Sequence, residues 1–172
     1  MSLTRSYASP DGSTSLSQNR ISEVAQLLGV AALVVALDQY TKHLITSSFL
    51  PGESRFVIPH FLKWTYEQNV HGAFGLFGSS PFLLIVMALI VLAVFWFSFR
   101  EHARDSLVVR IAFGMILGGA IGNIIDRVHF RYVVDFIDFY RIWPNIFNVA
   151  DACITCGVIL LILASLAARR HA

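Results

Sequence analysis

The sequence predicts an all-α membrane protein with a small β element. Three observations carry that prediction. Four apolar runs, at about 24–45, 81–99, 107–126 and 148–168, each approach the roughly 20 residues a spanning helix needs. Only 14% of the chain is charged, against about a quarter in a soluble domain. The polar stretch between the first two runs alternates like a hairpin and is too polar to span.

Residues 1–20 are rich in Ser, carry Arg5 and Arg20, and contain no apolar run. They predict a disordered polar tail ahead of one membrane-embedded domain over 21–172. The tail and the run after it lack a small-residue exit and do not read as a signal peptide. The first run ends with Asp38 and Lys42, four residues apart and therefore on one helix face. Arg55–Ile58 and Phe61–Tyr66 then read as short strands joined at Pro59-His60.

The second run contains almost nothing polar. The third carries Gly114, Gly118 and Gly122 at four-residue spacing, with Gly119 beside them. Such a face lets another backbone approach closely, and is expected to hold Asn123 and Asp126 near the last helix. The segment 128–147 is dense in Phe, Tyr and Trp, which favour the bilayer interface. The loop 100–110 carries three Arg, a bias that puts both termini in the cytoplasm. The polar residues at the helix ends then gather at the outer face.

A net charge of +2 with no basic tract gives no argument for nucleic acid. No zinc-type ligand spacing is present. Cys153 and Cys156 form a Cys-x-x-Cys inside an apolar run, with no βαβ pattern around it, and read as packing residues.

Two acids stand out. Asp135 lies in the alternation Val133-Val134-Asp135-Phe136, and Asp151 follows Asn148 where the last run opens. If Asn148 caps that helix, Asp151 falls in its first turn, where the dipole favours a carboxylate. Acids at a membrane boundary are costly unless used. No Ser with a partner His and no His-Glu-x-x-His is seen. A carboxylate pair sharing one proton can activate water and protonate a carbonyl oxygen with no metal or cofactor. Asp38, Lys42, Asp126 and Arg127 read as a buried network that orients these acids, with His71 a minor candidate base. Two other readings stay open from the residues alone: a proton relay in a small transporter, and structural ion pairs with Arg.

Five blocks, in order over residues 38–151, resemble the prolipoprotein (type II) signal peptidases of bacteria. They are Asp38-Gln39-Tyr40-Thr41-Lys42, Asn69 through Phe74, Gly118 through Arg127, Val133-Val134-Asp135-Phe136, and Phe147-Asn148-Val149-Ala150-Asp151. The resemblance implies four transmembrane helices, an extracytoplasmic β-cradle and a short interfacial helix. It implies a metal-independent aspartic endopeptidase, with Asp135 and Asp151 catalytic. Asn69, Asn123, Asp126, Arg127 and Asn148 would line or brace the site, with Asp38 and Lys42 in support. The substrates would be diacylglyceryl-modified prolipoproteins, cut just before the lipidated Cys. Their acyl chains would lie in the bilayer beside the aromatic outer segment. The setting would be the bacterial inner membrane, with the site at its outer face, membrane lipids around it, no cofactor, and a monomeric enzyme. The chain departs from the family at His71, where Gly is usual, and at Ala152, where Ser is common.

Overall fold

The computed structural model describes residues 11–71 and 106–170, and between them residues 82, 84–86, 88–90, 93 and 97. In chain order the elements are α1 (Asp11–Ser48), β1 (Ser54–Ile58), β2 (Leu62–Asn69), α2 (Leu107–Phe130), β3 (Val133–Phe139) and α3 (Val149–Arg170). Three helical stretches are long and apolar enough to cross a membrane: Ile21–Ser48, Leu107–Phe130 and Val149–Ala167. Leu28, Leu33 and Leu37 of α1 and Ile159, Ile162 and Leu163 of α3 point outward. Exposed apolar surface on this scale suits hydrocarbon, where a helix satisfies its own backbone. The described residues of the second apolar run are helical. The 81–99 span as a whole, and residues 1–10, lie outside the described residues.

α1 begins at Asp11, inside the segment read from sequence as a disordered tail. Once the apolar run has nucleated a helix, adding turns upstream costs little, and Ser-rich residues can be carried along. The glycines of α2 also act differently from the expectation. A Cβ on Gly114 would come within 2.7 Å of the Val30 Cβ, and one on Gly118 within 2.6 Å of the Ala31 carbonyl oxygen. Both glycines therefore face α1. It is Gly119, about 100° further round the helix, that meets α3, where a Cβ would lie 2.5 Å from the Ala150 carbonyl oxygen. Gly157 of α3 answers from the other side, against Ala112 and Ile116. α2 is thus clamped between α1 and α3 at near backbone contact, and this fixes how far apart their polar ends sit.

Those ends meet a three-stranded antiparallel sheet in the order β1-β2-β3. β1 and β2 form the hairpin read from sequence, with Ser54 opposite Thr65 and Phe56 opposite Lys63. β2 pairs with β3 from Leu62↔Phe139 to Asn69↔Val133, with a bulge between Trp64 and Glu67. Ile45, Tyr66, Val134 and Phe136 form the core under the sheet. α2 ends at Arg131, whose φ of 71° is left-handed and whose N–H bonds the Arg127 carbonyl. That sharp stop sends the chain directly into β3. After β3, Ile137 and Phe147 exchange backbone hydrogen bonds of 2.7 and 3.1 Å, returning the chain to the start of α3. Among the described residues no short interfacial helix appears. The segment after β3 makes a turn instead, closed by the Ile142 and Trp143 N–H groups on the Phe139 carbonyl.

Candidate active site

Six polar side chains, from α1, α2, β3 and the residue that precedes α3, are buried: Asp38, Lys42, Asn123, Asp126, Asp135 and Asn148. An uncompensated cluster of this kind would be prohibitive in an apolar setting. Its hydrogen bonds explain why it is tolerated. Lys42 Nζ reaches Asp38 Oδ2 at 2.8 Å, Asp126 Oδ2 at 2.9 Å and Asn123 Oδ1 at 3.1 Å. Its three donors are therefore matched by three acceptors.

The two acids around Lys42 are equally committed. Asp38 Oδ1 accepts the Ala150 N–H at 2.9 Å, so an acid of α1 caps the start of α3. Its charge also complements the positive end of that helix. Asp126 Oδ2 accepts the Val134 N–H at 3.0 Å, which ties α2 to β3. Gln39 Nε2 donates to Asp126 Oδ1, Asp38 Oδ2 and the Gly122 carbonyl at 3.0, 3.2 and 3.2 Å. Gln39 was not singled out from the sequence as a site residue. Its position next to Asp38 in the block that ends at Lys42 was the available signal.

Asp135 and Asp151 sit one layer further out, each held by side-chain amides. Asp135 accepts from Asn148 Nδ2 at 2.6 Å on Oδ1 and from Asn69 Nδ2 at 2.7 Å on Oδ2. Asp151 Oδ1 accepts from Asn123 Nδ2 at 2.7 Å. The two amides are themselves joined, Asn148 Nδ2 to Asn123 Oδ1 at 3.2 Å. Asn148 also caps α3: its Oδ1 accepts the Asp151 N–H at 2.9 Å, three residues on, as the sequence suggested.

Asp135 is 1% exposed, whereas Asp151 keeps partial access. Burial pushes the Asp135 carboxyl up to about 7, helped by the Asp151 charge and opposed by the Asn69 and Asn148 amides. A carboxyl titrating near neutrality beside a second carboxylate is the electrostatic setting of a shared proton.

Arg127 stands at the edge of this group. Nη1 donates to the Asn123 carbonyl at 3.3 Å, while Nε is buried without a hydrogen-bond partner. His71 is exposed, and its backbone N–H donates to Asn69 Oδ1 at 3.0 Å. Cys153 and Cys156 are free thiols, half-buried and exposed respectively. Among the described residues no group of three or more His, Cys, Asp or Glu could hold a metal ion.

A family model described as signal peptidase (SPase) II matches residues 30–167, which takes in every side chain of this cluster. The chain belongs to the signal peptidase II family. The lipoprotein signal peptidase of Caldanaerobacter subterraneus subsp. tengcongensis is 45% identical over 132 residues, covering 77% of this chain and 90% of that protein. The lipoprotein signal peptidase of Staphylococcus aureus is 42% identical over 141 residues, covering 80% and 85%. A bacterial membrane enzyme solved by the in meso method superposes with a TM-score of 0.77 at 36% identity, covering 83% of this chain and 88% of that one. As a signal peptidase II family member this chain is a peptidase of lipoprotein processing, and its apolar helices fit a multi-pass membrane protein.

Proposed function

We propose that the chain is a membrane aspartic endopeptidase that removes the signal peptide from diacylglyceryl-modified prolipoproteins, cutting just before the lipidated Cys. One observation carries the proposal: Asp135 and Asp151 are brought together on a linked pair of amides, Asn148 and Asn123, whose geometry Lys42 fixes from behind.

The pair holds one proton near neutral pH. The ionised carboxylate takes a proton from a water whose oxygen attacks the scissile carbonyl carbon. The protonated partner gives its proton to the carbonyl oxygen, forming a neutral gem-diol. As that intermediate collapses, a diol hydroxyl proton returns to the carboxylate and the other acid protonates the Cys nitrogen. The C–N bond breaks, leaving a carboxylic acid on the signal peptide and a free amine on the lipidated Cys. Both carboxylates end the cycle as they began, so no metal or cofactor takes part.

Asn69, Asn123 and Asn148 hold the two acids in register for this exchange. Asp38, Asp126, Lys42 and Gln39 brace the amides. The orphaned Nε of Arg127 offers a donor to a substrate carbonyl, which would restore the hydrogen bond that this buried group lacks. Four spans place both termini in the cytoplasm, and the sheet lies at the outer face of the inner membrane over a single domain of 21–172. The enzyme acts as a monomer on substrate delivered through the surrounding lipid. Phe139, Tyr140 and Trp143, at the far end of β3 from Asp135 and partly exposed, grip the acyl chains. Unchanged turnover and affinity in Phe139→Ser with Tyr140→Ser would remove them from that role.

The test is cleavage of a diacylglyceryl prolipoprotein by purified protein in detergent, beside Asp135→Asn and Asp151→Asn. Wild type is expected to cleave in the presence of chelator, and each variant to lose essentially all activity while staying folded. A folded wild type that cannot cleave, or a fully active variant, would defeat the mechanism.

A further inference from the structure

The face of β2 that looks toward the catalytic pair carries a residue the chemistry above does not use. Register places Glu67 directly opposite Asp135, with Gln68 opposite Val134 and Asn69 opposite Val133. Directly opposed residues in an antiparallel pair share a face, with Cβ atoms about 5 Å apart. Asn69 identifies that face, because two residues beyond Glu67 it donates to Asp135 Oδ2 at 2.7 Å. The alternate residues turn the other way: Tyr66 enters the core with Val134 and Phe136, and Gln68 Nε2 follows it onto the Tyr66 hydroxyl at 3.3 Å.

Glu67 is exposed, and among the described residues it has no ion-pair or hydrogen-bond partner. Two neighbouring acids, Glu53 just before β1 and Asp138 of β3, are matched. Glu53 pairs with Arg55 at 2.6 Å, and Asp138 pairs with Lys63 at 3.0 Å. An acid placed opposite another acid destabilises a strand pair by itself. No structural partner offsets that cost at Glu67.

We propose that Glu67 is a specificity-determining residue, a carboxylate that selects substrates with a cationic side chain within about two residues of the scissile bond. The inference rests on the peptidase reading above. Its reach follows from geometry. An extended substrate advances about 3.3 Å per residue. A carboxylate starting about 5 Å from the Asp135 Cβ on the same face therefore meets the side chains flanking the cut, not more distant ones. Glu67 touches no reacting atom and moves no proton.

The test uses the purified full chain and three synthetic diacylglyceryl prolipoprotein peptides. The peptides differ only in carrying Lys, Gln or Glu at the residue before the cut or at the residue after the lipidated Cys, each position tried in turn. Wild type is expected to favour Lys over Glu about three- to fivefold in kcat/KM on one side of the cut, the scale of one exposed charge pair. That preference should shrink when salt is raised, because exposed charges are screened. Glu67→Gln should abolish the preference, and Glu67→Lys should invert it. Equal cleavage of all three peptides by wild type overturns the proposal while leaving the peptidase reading intact. So does a preference that survives unchanged in both variants. Failure of wild type to cut any of the three peptides overturns the peptidase reading itself.

Discussion

Replacing Lys42 with Met asks how much of the architecture hangs on one ammonium group. Met keeps the apolar stem and lacks only the terminal nitrogen position, so the cavity is nearly conserved and the change is mainly electrostatic. Two bonds to carboxylates and one to an amide oxygen are lost. Asp38 and Asp126, both fully buried, are left without their cation. Breaking a buried ion pair by removing one partner costs about 3–5 kcal/mol. The upper end applies here, because two acids share the lysine. A marginally stable domain has only about 5–15 kcal/mol in reserve. Lys42→Met is therefore expected to unfold at much lower temperature in detergent, and to lose activity through the misplaced Asn123. The triple variant Lys42→Met, Asp38→Asn, Asp126→Asn removes the orphaned charges and is expected to regain more than half of the lost stability. The assay is thermal unfolding followed by helical circular dichroism in one detergent. A Lys42→Met protein that melts within a degree or two of wild type would refute the reasoning. So would a triple variant less stable than the single one.

Three further outcomes follow from the same geometry. The Asp135 carboxyl titrates near 7 when folded, above its ordinary 3.8. Its contribution to stability is thus fully present below pH 3.8 and is lost as pH rises through about 7. The melting temperature should decline across that window, Asp135→Asn should flatten the decline, and wild-type cleavage should fall above pH 7 as the shared proton leaves. Arg131→Gly relieves a non-glycine residue at φ 71° and should raise the melting temperature by a few degrees, an effect of about 0.5–1 kcal/mol net of the extra freedom of the unfolded glycine. Gly119→Ala drives a methyl against the Ala150 carbonyl at the first turn of α3. It should cost about 1–3 kcal/mol and reduce kcat by displacing Asp151, whereas Gly29→Ala, with nothing within 4 Å, should change little.

Much of this was legible before any coordinates. Three of the four apolar runs announced helices long enough to span, because a bilayer sets a length that sequence can be measured against. The β1–β2 hairpin showed through two short strand-like runs and the Pro59-His60 break between them. Asn148 and Asp151 were readable as cap and first-turn acid because capping is local, a matter of three residues. What stayed hidden was non-local. That Gly114 and Gly118 would face α1 rather than α3 depends on which neighbour lies at which angle, and small-residue spacing does not record it. The bond from Gln39 to Asp126 spans 87 residues. The alignment of Glu67 with Asp135 depends on a bulge between Trp64 and Glu67 that shifts the register. No local pattern announces that shift, and without it the side chains of β2 could not be assigned to a face.

The bond between Asp38 Oδ1 and the Ala150 N–H closes the chain over 112 residues. It joins a side chain from the first helix made to the backbone of the last. Asn148 and Asp151 arrive with that same last segment. A ribosome that has released only the portion before it has produced Asp38, Lys42, Asp126, the sheet and Asp135, but neither Asn148 nor Asp151. On the proposed mechanism the hydrolytic centre is therefore latent throughout synthesis and insertion, and switches on only when α3 seats against α1. A peptidase that shares its membrane with many unfinished proteins gains from this order of events, since no partly inserted copy can cut its neighbours.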